Sequence, residues 1–230
     1  MIRRAALVAG LGLAPVTAGA EPTNDALLAA GAGYRHVTDV DLAAIGGSDD
    51  FGSGGDQSPG SLSVEVGAGL VFASPLELRV SAWLGVGGLA LADIERRYFG
   101  GGPEQVGSSL TVGAGASARY APVLTPGLRL LAGPAVDWKR LTAASPLGSA
   151  HLELVGVGLD AGLRVRVGRI SRRVDGHLEL TAGARRELPV AVWVGHGKSD
   201  VLFAGVEDSS DPVYSVGLSA AYVFSFTDAF

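Results

Sequence analysis

Three residues close together in the chain have the side-chain types of a hydrolytic site. Ser149, His151 and Glu153 alternate along one segment and share one face if that segment is a strand. A serine, a histidine and a carboxylate perform nucleophilic catalysis when hydrogen bonds link them. Residues two apart on a strand lie ~6.5–7 Å apart at the backbone, which disfavours such bonds. We therefore expect polar rim residues here, no catalytic residue and no enzyme activity.

A second chemically notable stretch is acidic. Residues 39–60 contain five aspartates, several glycines and no basic residue. Carboxylates in a flexible loop can bind Ca²⁺, but this spacing matches neither an EF-hand nor a glycine-rich nonapeptide repeat. A solvated loop is the prediction, and calcium binding is the alternative. The five aspartates are Asp39, Asp41, Asp49, Asp50 and Asp56.

Many of the remaining ionisable residues alternate with apolar ones. Glu77 and Arg79, for example, alternate with Leu76, Leu78 and Val80. A period of two predicts strands with one apolar and one charged face. If the apolar face meets lipid, the other face lines a lumen and carries eight basic and six acidic residues. These are Arg35, Glu65, Glu77, Arg79, Arg119, Arg129, Asp137, Lys139, Asp160, Arg164, Arg166, Glu179, Arg185 and Glu187.

The lumen charges allow more than one role. Only Glu153 and Arg186 are assigned to the apolar face, both near loop ends. If the strands close into a barrel of about eight strands, its lumen is just wide enough for side chains to fill, so we expect an internal salt-bridge network. The alternatives for the arginines are an anion-selective constriction or a docking mouth for an acidic periplasmic partner.

Eight segments must position these charges, and each is at least as long as the ~9–11 residues that a membrane strand needs. They span 26–38, 61–73, 76–91, 107–121, 128–141, 151–167, 175–188 and 213–226. Short connections at 74–75, 122–127 and 168–174 alternate with longer ones at 39–60, 92–106, 142–150 and 189–212. Outer-membrane barrels have this arrangement, with the long loops outside. The predicted fold is an all-β, transmembrane, antiparallel up-and-down barrel of eight strands.

Composition agrees with a barrel. Hydrophobic residues make up 47% of the chain, and it contains 35 glycines and no cysteine. The apolar residues are dispersed rather than in long runs, and glycine disfavours helix interiors. Only helices and closed barrels can cross a bilayer, because backbone polar groups cannot stay unpaired in lipid. The absence of cysteine excludes disulfides and cysteine metal sites, and we expect no cofactor and no resident metal.

The two ends of the chain carry signals of export and assembly. Residues 1–20 are predicted to be a signal peptide, with Arg3 and Arg4 before an apolar core and cleavage before Glu21. The barrel domain is then 21–230, with a net charge of −7. Aromatic residues of one parity end the chain, and Asp228 interrupts their apolar pattern. They are Tyr222, Phe224, Phe226 and Phe230.

This ending and the eight segments resemble the small eight-stranded bacterial outer-membrane barrels, typified by the OmpA transmembrane domain and OmpX. The resemblance implies a Gram-negative outer-membrane location, contact with outer-membrane lipid and lipopolysaccharide, and an assembly signal read by the barrel assembly machinery. That group includes adhesins, structural barrels, narrow channels and a few lipid-modifying enzymes. The rim cluster is similar to the Ser, His and Glu of lipid A deacylases, but its order is Ser-x-His-x-Glu rather than His-x-Ser.

The predicted function is a non-enzymatic, porin-like barrel in the cell envelope with a largely filled lumen. It would bind through surface loops or support an envelope assembly, with a protein partner at its loops or periplasmic mouth. A narrow channel is the alternative, and a lipid A-modifying hydrolase is less favoured. No nucleic-acid partner is expected. Two residues fit the pattern poorly: Trp83 falls on the lumen face, and Pro134 must cost a ladder hydrogen bond or mark a bulge.

Overall fold

A computed structural model of the 230-residue chain describes residues 25–38, 59–72, 75–88, 108–144, 148–196, 199–203 and 213–227. The predicted signal peptide, the five loop aspartates and Phe230 lie outside the described residues. Ten strands cover most of this part. They are β1 (Asp25–Val37), β2 (Gly60–Val71), β3 (Leu76–Gly88), β4 (Ser108–Tyr120), β5 (Val123–Thr125), β6 (Leu128–Ala144), β7 (Gly148–Ser171), β8 (Val174–His196), β9 (Ser199–Phe203) and β10 (Val213–Phe226).

Within the part of the chain that the structure describes, no helix has the length and apolarity needed to cross a membrane.

Eight of the ten strands close into an antiparallel barrel. The long strands pair in the order β1–β2–β3–β4–β6–β7–β8, and β10 pairs with both β8 and β1. Closure removes the free edges of the ring, so each barrel strand has a hydrogen-bonding neighbour on both sides. The predicted all-β barrel of eight strands is confirmed. The other two strands are short, with β5 paired to β6 and β9 paired to β8.

The ends of the barrel differ in their connections. The end with the short connections between β2 and β3 and between β7 and β8 also carries Asp25 and Phe226, and we call it the turn end. The opposite end is the loop end. Two connections predicted there are wrong in extent. β6 runs to Ala144 and β7 begins at Gly148, which leaves three residues rather than the predicted 142–150, and β8 and β9 occupy part of 189–212.

The barrel wall is uneven in height. β7 has 24 residues and β8 has 23, whereas β1 has 13 and β2 has 12. At the turn end, β7 continues past its last ladder pair with β6, Val165 opposite Leu128. The β7–β8 hairpin therefore extends beyond its β6 neighbour. Irregular register between Arg166 and Gly168, and between Arg169 and Ser171, inserts extra residues into β7 there.

Pro134 interrupts one ladder without changing the register. It pairs with Leu159 on β7, but on the β4 side the ladder stops at Ser117 opposite Ala135 and resumes at Tyr120 opposite Ala132. Proline has no N–H to donate. A Cβ atom on Gly133 would collide with the backbone carbonyl of Ala118. Glycine therefore lets the two strands approach beside the proline, and the predicted loss of ladder pairing occurs on the β4 side.

The outer surface of the barrel is apolar over most of its height. Leu62, Leu159 and Leu218 are each 65% exposed, and Leu180 is 62% exposed. Each alternates along its strand with inward residues that are buried or half-buried. A water-soluble sheet protein buries its apolar face instead. The barrel is thus apolar outside and, as the lumen shows, charged inside.

Candidate functional site

The densest group of inward charges lies near the turn end, and we call it the turn-end cluster. Strand alternation places Glu77 and Arg79 of β3, Arg119 of β4, Arg164 of β7 and Glu179 of β8 inside the barrel. All five are buried, from 0% exposed at Glu77 to 8% at Arg79. Residues of four strands therefore meet in one place.

Each carboxylate of the turn-end cluster is bound by several guanidinium groups. Glu179 accepts hydrogen bonds from Arg164 Nε at 2.9 Å and Arg119 Nη1 at 3.0 Å, and also from Arg79. Glu77 accepts from Arg164 Nη1 at 2.7 Å and from Arg119. In the eight-strand ring, β3 and β8 are four positions apart and hence opposite. The pair between Arg79 and Glu179 therefore crosses the lumen.

A second group, the mid-lumen cluster, lies nearer the loop end. It comprises Asp137, Lys139, Asp160, Arg185 and Glu187. Lys139 Nζ lies 2.5 Å from Glu187 Oε1 and 3.3 Å from Asp137 Oδ1, and Arg185 Nη2 lies 2.5 Å from Asp160 Oδ1. This cluster has three carboxylates and two basic groups, whereas the turn-end cluster has two carboxylates and three basic groups. Together the two clusters are electrically neutral.

Trp83, the tryptophan on the lumen face, stacks against a guanidinium group. The Arg35 guanidinium lies 3.9 Å from the ring centroid of Trp83 and also donates to Glu65 Oε2 at 2.9 Å. Trp83 is only 5% exposed. A Cβ atom on Gly113 would come within 2.7 Å of Trp83 Nε1, so the absence of a side chain there makes room for the ring. The residue that fits the strand pattern poorly is therefore an interior packing element.

A small cavity separates the two clusters. Its volume is about 80 Å³, and its walls include Arg79 and Glu179 on one side and Asp137, Lys139 and Arg185 on the other. A volume of this size holds a few water molecules. On either side of this cavity, ion pairs such as Arg79–Glu179 and Lys139–Glu187 bridge the described part of the lumen.

The loop end of the lumen has a different lining, which we call the loop-end layer. It consists of inward apolar residues that are between 0% and 5% exposed. They are Val37, Leu141, Ala143, Ala150, Leu152, Leu154 and Val213. Apart from Val213, whose strand contains no charged residue, they have the same inward parity as the lumen charges of their strands. These strands therefore carry charge lower in the barrel and apolar side chains near the loops.

The candidate hydrolytic residues lie outside the lumen, as their parity predicts. His151 Nδ1 is 3.0 Å from Thr142 Oγ1 on the neighbouring strand. Glu153 accepts from Arg140 Nε at 2.9 Å and from Trp138 Nε1 at 3.4 Å. The carboxylate that a triad would need is thus engaged by an arginine and an indole, and no catalytic geometry with Ser149 follows from these contacts.

Sequence reasoning missed Arg140. It shares the outward parity of Trp138, and its side chain is 45% exposed. The statement that only Glu153 and Arg186 carry charge on the outer face is therefore wrong. The alternation of β6 contained this signal, since Arg140 falls two residues after Trp138. Its ion pair with Glu153 depends on the register of β6 and β7, which the sequence alone does not specify.

The remaining predicted residues are placed as follows. Arg129 is half-buried and lies opposite Arg164 in the β6–β7 ladder. Arg166 lies at the turn end, where its 39% exposed side chain pairs with Asp175 at 2.8 Å. Arg166 is thus at the mouth rather than inside. Of the predicted assembly signal, the rings of Tyr222 and Phe224 contact each other edge-to-face, with centroids 4.9 Å apart. Phe226 ends β10, half-buried.

Comparison with known proteins finds matches among solved structures only. No protein-family model and no curated protein matches the chain. Among solved structures, neisserial surface protein A is 14% identical over 85% of this chain and 95% of its own, with a TM-score of 0.46. The attachment invasion locus protein Ail of Yersinia pestis is 9% identical over 88% and 98%, with a TM-score of 0.44. A major outer membrane protein from Thermus thermophilus is 13% identical over 86% and 99%, with a TM-score of 0.43.

The barrel closes after eight strands, is apolar outside, and is filled by cross-lumen ion pairs inside. The chain is a closed eight-stranded antiparallel β-barrel of the kind that small outer-membrane proteins have.

Proposed function

We propose that the protein is an integral β-barrel of the bacterial outer membrane with a filled lumen, acting as a structural or surface-binding component of the envelope. In this proposal its outer face contacts outer-membrane lipid and lipopolysaccharide, and the barrel assembly machinery inserts it. Binding would then take place at the loops or at the periplasmic mouth, because ion pairs cross most of the described lumen and leave a cavity of only about 80 Å³.

One observation carries this proposal: Glu179 of β8 is bound at once by arginines of β3, β4 and β7. A carboxylate held from three other strands ties opposite walls together. Neutralising one member leaves buried charge without a partner, which is costly in a dry interior. The cluster therefore favours rigidity over passage of ions.

The membrane location has support from the barrel surface. Four outward leucines, one on each of β2, β7, β8 and β10, are more than 60% exposed, while the turn-end carboxylates are at most 2% exposed: Leu62, Leu159, Leu180 and Leu218. Charges on the lipid face of such barrels are destabilising, and lumen charges are tolerated. We expect a heat-modifiable band in the outer-membrane fraction of expressing cells. A soluble periplasmic protein would contradict the proposal.

A narrow channel is the second candidate, favoured by the cavity of about 80 Å³ between the two clusters. Planar-bilayer recording separates the two functions. For the filled barrel we expect no steady current, and Arg119→Gln combined with Arg164→Gln should alter stability more than conductance. Arg140→Gln is the matched control, because it removes a charge from the outer face. A steady anion-selective current that the double variant abolishes would establish the channel.

A further inference from the structure

The β7–β8 hairpin at the turn end concentrates positive charge. Residues 166–175 contain four arginines and one aspartate, a local charge of +3 in a chain whose net charge is −5. The arginines are Arg166, Arg169, Arg172 and Arg173, all exposed. Charge of the opposite sign to the chain as a whole, gathered in ten residues, marks a surface for an anionic partner.

Only part of this charge is balanced within the hairpin. Asp175 Oδ1 lies 2.8 Å from Arg166 Nη2 and 3.5 Å from Arg169 Nε. Among the described residues, no carboxylate lies within ion-pair distance of Arg172 or Arg173. These two guanidinium groups therefore have no described carboxylate partner and can bind an external anion. Arginine suits phosphate in particular, because its planar fork can donate two parallel hydrogen bonds.

Apolar residues are interleaved with these arginines. Val167 is 57% exposed and Ile170 is 55% exposed, and each lies where the β7 register shifts. The Cδ1 atom of Ile170 is 3.4 Å from the position of a Cβ atom on Gly176, beside the hydroxyl of Tyr222. Ile170 thus lies next to an aromatic residue of the outer face. Tyrosine is typical of the membrane–water interface, where its hydroxyl reaches the headgroups.

Arginines next to exposed aliphatic residues and an interfacial tyrosine indicate which anion is bound. An acidic protein would pair with the arginines but would leave Val167 and Ile170 without an apolar environment. A lipid provides both, because its phosphate lies directly beside the acyl region. We propose that this hairpin binds the headgroup phosphates of anionic phospholipids in the membrane leaflet at the turn end. This inference rests on the proposed membrane location of the barrel.

Native mass spectrometry of the folded, detergent-solubilised barrel tests the inference. The protein is titrated with phosphatidylglycerol and, separately, with zwitterionic phosphatidylcholine. We expect selective binding of phosphatidylglycerol, and Arg172→Gln combined with Arg173→Gln should weaken it about tenfold. Arg140→Gln combined with Arg186→Gln is the matched control. It removes the same charge from other exposed sites and should leave the affinity unchanged.

Two results would overturn the inference. One is equal binding of both lipids by the wild-type barrel, which would leave an acidic protein as the partner of the arginines. The other is unaltered phosphatidylglycerol affinity in the Arg172 and Arg173 double variant. Failure of the proposed membrane location is distinguishable from both results. In that case the protein does not form a heat-modifiable barrel in bilayers of either lipid, which is seen before any titration.

Discussion

The turn-end cluster and the loop-end layer are both buried inside one barrel, yet their chemistry is opposite. Around Glu179 the interior is ionic and the outer face carries leucines such as Leu180, 62% exposed. Around Leu152, which is 0% exposed, the interior is apolar and the outer face carries Arg140 and Glu153. The polarity of the wall therefore inverts between the two levels.

The inversion shows where the surroundings of the barrel change. A wall that is apolar outside suits lipid, and a wall that is apolar inside suits water. Trp138 lies at the transition, with the Arg140 guanidinium 5.8 Å from its ring centroid. For a membrane-spanning barrel, the outer lipid boundary then lies near Trp138, and the loop-end parts of β6, β7 and β8 stand above it in water.

The largest expected effect comes from breaking the ionic region. Glu179→Gln leaves Arg79, Arg119 and Arg164 without one of their two carboxylates, and we expect a loss of about 3–5 kcal/mol of unfolding free energy. Urea unfolding in bilayers measures it. Glu65→Gln is the control, because Arg35 is the one described arginine within 3 Å of Glu65, at 2.9 Å, and Arg79 lies farther away at 4.0 Å. Equal midpoints for wild type and Glu179→Gln would show that the turn-end cluster contributes little.

A charge on the outer wall tests the inversion directly. Leu159→Arg at mid-height, 65% exposed to the surroundings of the barrel, should cost about 2–4 kcal/mol in a bilayer. Ser149→Arg has the same outward parity on the same strand but lies at the loop end, and it should cost at most about 1 kcal/mol. Similar losses for the two variants would place both in lipid and contradict the proposed boundary.

The loop-end layer predicts a packing effect instead. Leu152→Ala leaves a cavity in this layer and should cost about 2–3 kcal/mol, at the lower end for buried leucines because the layer is near an open end. Leu180→Ala, on the outer face, removes a side chain that packs little protein and should cost less. The ratio of the two losses in urea unfolding is the measurement, and a larger loss for Leu180→Ala would reverse the assignment of inside and outside.

The smallest expected effect is at the outer ion pair. Arg140→Gln breaks the contact with Glu153, and we expect a change below about 1 kcal/mol because the arginine is 45% exposed. The loss should also shrink in high salt, as exposed pairs are screened. Thermal unfolding at two salt concentrations measures this. A loss as large as that of Glu179→Gln would mean that Arg140 lies in a low-dielectric environment.

The sequence predicted the ionic half of this contrast better than the apolar half. Alternation of Glu77 and Arg79 with leucines was enough to predict strand, face and charge. The pairing of Arg79 with Glu179 was not predictable, because parity says which side a residue faces but not which opposite strand it reaches. The stacking of Arg35 on Trp83 was not predictable either. Without it, an inward tryptophan did not fit the strand pattern.

The loop-end layer escaped prediction for a different reason. Alternation continues through Leu141 and Leu152, so the period of two is intact. At this level, however, the inner face is apolar and the outer face is polar. The ladder also shifts between Glu153 and Leu154, which are opposite Ala191 and Pro189, leaving Val190 as an extra residue. At the loop end the predicted segments are therefore too short: β6 continues to Ala144, β7 begins at Gly148 and β8 continues to His196. The local sequence pattern was enough to identify these strands, whereas the positions of their ends depend on cross-strand pairing.

The seam between β1 and β10 has a consequence for how the barrel forms. Ala26 pairs with Phe226, so the two strands that close the ring are separated by almost the whole described chain, whereas the other ladders join strands that follow closely in sequence. Contacts between residues far apart in sequence form slowly, because the chain loses the conformational entropy of the enclosed loop before these contacts stabilise the fold. Until the seam forms, β1 and β10 expose unpaired backbone groups that hydrocarbon cannot satisfy. Assembly should therefore proceed hairpin by hairpin, with ring closure as the final, committing step.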